Sequence, residues 1–271
     1  MTERGPLGAA DLHIHTLASD GTSSVGEVLD AVERDGTLDV IAITDHERID
    51  AAVAARAMAR ARGYRVEVVV GEEVTTRGGH LLGLYLERPI RPLRPLAQTI
   101  AEIHAQGGLA VPAHPLVPVP LCASEGSIRR LVAHSDPRVR PDGLEAFNPT
   151  TAGRPWQPRV AALVAELGLA GIGGSDAHVS NAVGQARTRF PGRTAEDLRR
   201  AILARETSWE GEFYPAAIQL GTFLRQLRKY ARDVRDELFG IAMARRSGRD
   251  LGYPGGRRRP PALDEESLGG G

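Results

Sequence analysis

A single cysteine, Cys122, is all the sulfhydryl this chain has, which excludes both an internal disulfide framework and a cysteine-based zinc cluster. A reducing compartment suits such a chain, and the thiol itself reads as a small buried or half-buried side chain. Net charge is missing as well: 34 Lys and Arg balance 34 Asp and Glu. No global field therefore draws the chain to nucleic acid or to an acidic membrane, and any attraction for anions must be local. No window approaches the roughly 20 apolar residues that span a bilayer. The first strand is expected within about ten residues of Met1, with no basic or apolar leader before it, so no signal peptide is expected. These absences describe a soluble cytoplasmic protein.

What is present is a repeated pattern of strands that end in histidine or carboxylate. In Asp11-Leu12-His13-Ile14-His15-Thr16 the period of an extended segment puts His13 and His15 on one face and Leu12 and Ile14 on the other. Ser24 and Glu27 have capping-box spacing ahead of a helix with Val25, Val28, Leu29 and Val32 on one stripe, ending at Gly36. A β-branched run from Asp39 to Ile43 reads as a buried strand delivering Thr44-Asp45-His46. A helix from Asp50 to Arg62, closed by Gly63, leads to a strand over Val66 to Val70 and then Gly71-Glu72-Glu73. The Gly78-Gly79 turn starts a returning strand from His80 to Leu86. Further on, a helix from Leu96 ends at Gly107-Gly108, Leu109 to Ala113 delivers His114-Pro115, and a helix is expected around Ser127 to His134. Gly143 to Asn148 reads as a strand, Arg159 to Leu167 as a helix, and Leu169 to Gly173 as the strand before Gly174-Ser175-Asp176-Ala177-His178. Thr194 to Arg205 reads as a closing helix.

Strands and helices alternating at this spacing imply βαβ units, and strand ends that all carry ligand-type residues imply that those ends converge. A barrel gathers ligands from nearly every strand, whereas a doubly wound sheet gathers them at one switch point, so an α/β barrel is expected. From Ala216 to Ala244 a long amphipathic helix is expected, with Leu220, Phe223, Leu224 and Leu227 on one face and Arg225, Arg228 and Arg232 on the other. It is expected to pack on the barrel or on a second subunit, with phosphate or nucleic-acid binding by its charged face as the alternative. From Ser247 the composition reads as a disordered tail.

Six of the eight histidines sit at or beside strand ends: His13, His15, His46, His80, His114 and His178. Asp20, Glu73 and Asp176 bring the set to nine nitrogen and oxygen donors, enough for two or three divalent ions with open positions. Imidazole and carboxylate without thiolate favour zinc, manganese or iron over copper(I) or a calcium cage.

In order and spacing, Asp11 to Thr16, Thr44-Asp45-His46, Gly71 to Thr75, Ala113-His114-Pro115 and Gly174 to His178 resemble the motifs of the PHP (polymerase and histidinol phosphatase) family. The resemblance runs over residues 10–205 and implies a distorted (β/α)7 barrel with a trinuclear metal centre, followed here by a helical extension over 206–246 and a tail over 247–271. By motif position it implies His13, His15, Asp20, His46, Glu73, His80, His114, Asp176 and His178 as ligands. Glu73, and not Glu72, takes the third place of the G-x-E motif, and Asp20 stands where some members have His. Asp20, His46, Asp176 and His178 would carry the catalysis, and Asp45 would orient His46 or a water.

Charge arithmetic points the same way, because three divalent ions would outweigh three carboxylates and leave an excess to hold a phosphate dianion. The expected reaction is hydrolysis of a small phosphomonoester, such as a nucleoside monophosphate or a histidinol-phosphate-like compound, by a metal-bound hydroxide. Relatives that act on nucleotides carry an inserted domain between the His80 and His114 positions and an Arg after the His-Pro. This chain has neither, so Arg48, Arg77, Arg154 and Arg187 are the candidates for phosphate, each also readable as a solvated loop arginine. The alternatives are a 5′-to-3′ exonuclease on short oligonucleotides and a non-catalytic metal-binding regulatory module. An amidohydrolase fits less well, since Thr44-Asp45-His46 with Gly71-x-Glu73 does not match its usual Lys-centred site.

Overall fold

A computed structural model of the chain describes residues 7–118 and 121–215. The long helix expected from Ala216 and the tail expected from Ser247 lie outside the described residues. The described residues fall in one compact unit, Met1–Leu227.

The first half of the chain follows its local signals closely. Strand β1, Leu7–Asp11, leads to helix α1, Val25–Asp35, where Ser24 and Glu27 form the expected capping box and Gly36 closes the helix at φ 69°. Left-handed backbone of this kind suits glycine, which has no Cβ to clash. Strand β2, Val40–Ile43, is buried throughout, and helix α2, Asp50–Arg62, ends at Gly63. Strand β3, Glu67–Thr76, is longer than the expected Val66 to Val70 run, because it continues through Glu72 and Glu73 to pair with β4, Gly79–Leu84. Helix α3, Leu96–His104, strand β5, Leu109–Pro112, and helix α4, Glu125–Val132, follow. Helix α4 starts two residues before the expected Ser127 because Ser124 caps it, accepting from the Ser127 N–H.

Strand β6, Gly143–Phe147, helix α5, Gln157–Leu167, and strand β7, Ala170–Gly173, occupy their expected places. Strand β8, Ala186–Pro191, then precedes helix α6, Ala195–Ala204, and strand β9, Ser208–Gly211. Neither β8 nor β9 is expected from the sequence. Strand β9 pairs with β8, so the sheet runs past residue 205.

Seven strands form one sheet in the order β5-β4-β3-β2-β1-β8-β9, and β6 and β7 form a parallel pair. The strands β1, β2 and β3 run parallel, while β4, β5, β8 and β9 enter through antiparallel pairings. Hydrogen bonds join the two sheets at both sides. Asp142 and Ala110 exchange contacts at 2.7 and 2.9 Å beside β5, and Thr188 Oγ1 on β8 bonds to Gly173 N and O at 3.0 and 2.9 Å. The result is an α/β fold whose sheet is curled into a half-barrel.

Both faces of the sheet are buried from β1 to β5, as the near-continuous apolar runs require, whereas β9 is exposed or half-buried along its length. On β2, Ile41 and Ile43 pack with Val28, Leu29, Ala52 and Ala55 of the covering helices. Val40 and Ala42 face the other way, onto Leu12, Leu82, Val111, Ile172 and the α6 residues Leu198 and Ile202. With one end of the interior sealed by α6, the polar residues gather at the opposite end.

Candidate metal centre

Beyond the end of β1 the backbone stays extended without belonging to a ladder. Ile14 makes a single bridge to Ala177, with His15 N donating to Ala177 O at 2.9 Å and Ala177 N donating to His13 O at 3.2 Å. His13 and His15 still reach the same Glu73 oxygen, but Leu12 and Ile14 do not share a face as expected, since Ile14 joins the apolar cluster of Ile41 and Ile43 and Leu12 that of Val40 and Ala42. Leu12 and Ile14 are sealed in the core, and His13 and His15 are buried beside the carboxylates.

Glu73 is the hub. Its Oε2 lies 3.2 Å from His13 Nε2, 3.2 Å from His15 Nε2 and 3.4 Å from His46 Nε2. Its Oε1 lies 2.7 Å from His80 Nδ1 and 2.9 Å from His114 Nε2. Asp176 Oδ1 sits 3.6 Å from His13 and 3.3 Å from His15, and Asp20 contacts His15 at 3.3 Å and His178 at 2.9 Å. All nine residues expected from the sequence thus meet in one cluster. The period of β3 decides between the two adjacent glutamates: Glu73 points into the cluster, while Glu72 Oε2 accepts the Ile90 N–H at 2.9 Å on the other face.

A ring of buried polar residues supports the cluster. Asp45 does not face His46; its carboxylate accepts from Thr16 N and Thr16 Oγ1, both at 2.7 Å, and from Ser19 Oγ at 2.5 Å. It thereby fixes the loop that carries Asp20, which corrects the expectation that it orients His46. Asp11 accepts from Ser175 N at 2.9 Å and Gly184 N at 2.7 Å, pinning the Asp176 loop to the end of β1. Burial raises the Asp11 carboxyl to about 6 even though these N–H groups oppose the rise. His114 and Asp176 hold left-handed backbone, φ 27° and 51°. Strain of this kind persists only where surrounding contacts impose it.

Glu145 is a residue the sequence reading missed. Fully buried on β6, it contacts His13 Nδ1 at 2.8 Å and accepts from the His114 backbone at 2.5 Å, and Asn148 Nδ2 is 3.2 Å away. The signal was a carboxylate in the middle of an otherwise apolar strand.

The cluster's electrostatics are those of a cation site. Burial alone would discharge the rings, but Asp176, Glu145 and Glu73 outweigh it and push His13 well above the usual range. His15, opposed by burial in the same way, is pushed up to about 10 by Asp176 and Glu73. Glu73 and Asp176 are held well below the usual carboxylate range by the histidines, against the opposing effect of burial. His13 Nε2, both ring nitrogens of His15 and His80 Nδ1 are buried without an aligned hydrogen-bond partner, although carboxylate oxygens lie close by. An unsatisfied buried polar group costs roughly 1–3 kcal/mol. Four triads have donor atoms within 4.8 Å of one another: His13, Glu73, His114; His13, His15, Asp176; His15, His46, Glu73; and His15, Asp20, His178. Nitrogen and oxygen donors converging on shared points, with lone pairs left over, fit divalent ions. Cys122, half-buried, touches the outer nitrogen of His114 at 3.2 Å.

The arginines are engaged elsewhere. Arg48 pairs with Asp50 at 2.5 Å and donates to Ala18 O at 2.8 Å. Arg77 donates to Leu93 O, Arg154 lies over the Phe213 ring at 5.4 Å, and Arg187 donates to Gly184 O at 3.1 Å.

A curled α/β sheet whose strand ends carry these motifs defines a class, and the chain belongs to the PHP family. The PHP domain matches residues 11–114 and the PHP-associated region matches residues 155–207. An uncharacterized protein of Methanocaldococcus jannaschii is 36% identical over 150 residues, which cover 51% of this chain and 81% of the relative. Among solved structures, a two-domain protein from Bacteroides vulgatus containing a predicted PHP-like metal-dependent phosphoesterase superposes with a TM-score of 0.63 at 18% identity. That match covers 78% of this chain but only 66% of the two-domain protein. PsfC from Pseudomonas syringae superposes with a TM-score of 0.60 at 18% identity, covering 82% of this chain and 98% of that one. An amidohydrolase from Chromobacterium violaceum with bound sulfate and no metal gives 0.52 at 18% identity, covering 72% and 96%. These structural likenesses speak to the fold.

Proposed function

We propose that the chain hydrolyses a small phosphomonoester, such as a nucleoside monophosphate or a histidinol-phosphate-like compound, at two or three divalent ions of manganese, zinc or iron. The observation that carries this reading is the set of four overlapping donor triads, in which buried ring nitrogens lie beside carboxylates without an aligned hydrogen bond. The ligands are His13, His15, Asp20, His46, Glu73, His80, His114, Asp176 and His178, set in a distorted (β/α)7 barrel over 10–205. Ions bound there would activate water and neutralise charge on the phosphoryl oxygens.

The chain's own residues define the direction of approach. His13, His15 and Glu73 are sealed, whereas the Asp20 side chain is 43% exposed and that of His46 is 27% exposed. Substrate therefore enters over Asp20, His46 and His178. Burial holds His46 below the usual imidazole range, which keeps it in the neutral form that ligation requires. Asp45 and Asp11 hold the loops of Asp20 and Asp176 still, so the site is formed before substrate arrives. Arg48, close in sequence to His46, is the arginine best placed to turn from Asp50 to a phosphate; Arg154 and Arg187 are lesser candidates.

Among the described residues no helix is long and apolar enough to cross a membrane. The reading places the enzyme in the cytoplasm, with any oligomer formed through the segment after residue 216, where the sequence leads one to expect a helix.

The test is a panel of phosphomonoesters, nucleotides and 5′-labelled oligonucleotides, with metal content measured on the same sample. Manganese- or zinc-loaded protein is expected to release phosphate from the small esters, and His15→Ala or Asp176→Ala to abolish release. Variants that retain full activity would sink the assignment, and faster degradation of oligonucleotides would favour the exonuclease.

A further inference from the structure

Glu145 belongs to none of the four donor triads, yet it grips two of their members. Its Oε1 lies 2.8 Å from His13 Nδ1, and its Oε2 accepts the backbone N–H of His114 at 2.5 Å. A carboxylate buried on an apolar strand must find donors, and here it finds them in one residue from the β1 side and one from the β5 side of the site. Room for it is kept by Gly174, where a Cβ would come within 2.6 Å of Glu145 Oε1.

We propose that Glu145 is a positioning residue that sets His13 and His114 for the metal centre; this rests on the metal-site reading above. In the neutral ring that ligation requires, the 2.8 Å contact with Glu145 Oε1 keeps the one proton at Nδ1 and leaves Nε2, on the side of Glu73 and Asp176, free to bind a metal. The second oxygen holds the His114 backbone at φ 27°, from which its ring reaches Glu73 at 2.9 Å. One side chain thus serves the His13, Glu73, His114 triad and the His13, His15, Asp176 triad. The His15, His46, Glu73 and His15, Asp20, His178 triads contain neither of the gripped residues. Loss of Glu145 should therefore weaken the sites unequally.

Glu145→Gln separates the two functions, because a single amide oxygen can accept from one partner while its NH2 group repels the other. The full chain, stripped of metal, is titrated with zinc by calorimetry, and the zinc-loaded form labelled with 15N-histidine is observed by NMR. The expected result is that Glu145→Gln loses about 10- to 100-fold in affinity for part of its zinc, while the remaining zinc binds as in the parent chain. His13 of the parent is expected to carry its proton on Nδ1. Equal stoichiometry and affinity in the variant, a uniform loss at all sites, or a parent His13 protonated at Nε2 overturns the proposal. If circular dichroism shows the variant unfolded, the parent's tautomer decides. A parent chain that binds no zinc removes the metal-site reading itself, a different failure from a parent that binds and a variant that binds identically.

Discussion

Two regions of this molecule crowd opposite charges together, and they do so to different ends. On the outer surface Arg129 and Arg159 interlock with Glu125 and Glu166, Arg129 bonding Glu125 at 2.9 Å and Arg159 bonding Glu166 at 2.6 Å. Arg159 and Arg129 hold the Glu125 carboxyl down to about 2, against a small opposing effect of burial. Every charge there has met its opposite in hydrogen-bonded geometry. At the strand ends the carboxylates and imidazoles are as close, but buried ring nitrogens remain without aligned donors or acceptors. Fixed pairs of permanent charge satisfy each other, whereas imidazoles can give up their protons to a bound cation and then turn lone pairs, with the carboxylates, toward a common centre. The surface network is complete as it stands; the interior one fits a cation.

The largest effect is expected of Glu73→Gln, which should lower phosphate release about a thousandfold and strip bound metal, since Glu73 touches five histidines. Its neighbour supplies the control. Glu72→Gln faces Ile90 and should leave both metal content and turnover intact, so equal losses in the two variants would refute the division between them.

A second, intermediate effect concerns pH. His15 in the metal-free protein is raised from 6.5 to about 10, so its folded state keeps a proton that the unfolded chain releases. The stability this contributes is complete below about 6.5 and is lost as pH rises through about 10. The metal-free protein should accordingly melt several degrees lower at pH 9.5 than at pH 7. Saturating zinc, which needs the neutral ring, should flatten that slope. A metal-free melting temperature that does not fall over this interval would contradict the account.

The smallest effect is expected outside. Glu125→Ala should shift the melting temperature by roughly 2 °C or less, because exposed pairs exchange protein contacts for hydration and are screened by salt. Metal binding should be unchanged, and a large loss of metal would erase the contrast between the two regions.

Much of this was legible without coordinates because the signals are local. The Ser24 and Glu27 cap, Gly36 and Gly63 as helix stops, and the β-branched run ending at Ile43 all act over a few residues. Strand β8 does carry the alternation of a half-buried strand, with Arg187 and Arg189 between buried Ala186, Thr188 and Phe190, but the stretch is short and has only one β-branched residue. Its antiparallel pairing with β1 is a long-range fact. The Glu145 grip was hidden for the same reason, since its partners lie 132 and 31 residues away.

His13 and His15, the pair at the start of the chain, draw the line between the two kinds of information. The donor types, the alternation that turns two imidazoles the same way, and the recurrence of such residues at strand ends follow from the amino-acid order alone, because residue chemistry and backbone period are local properties. Long-range packing fixes that β1 stops at Asp11, that Ala177 keeps the next residues extended, and that Glu73 and not Asp176 stands at the hub. It also decided that Asp45 serves a loop rather than a ring. Those choices depend on which segments the curled sheet brings together, and a polar group buried by that closure must find a partner from whichever strand arrives beside it.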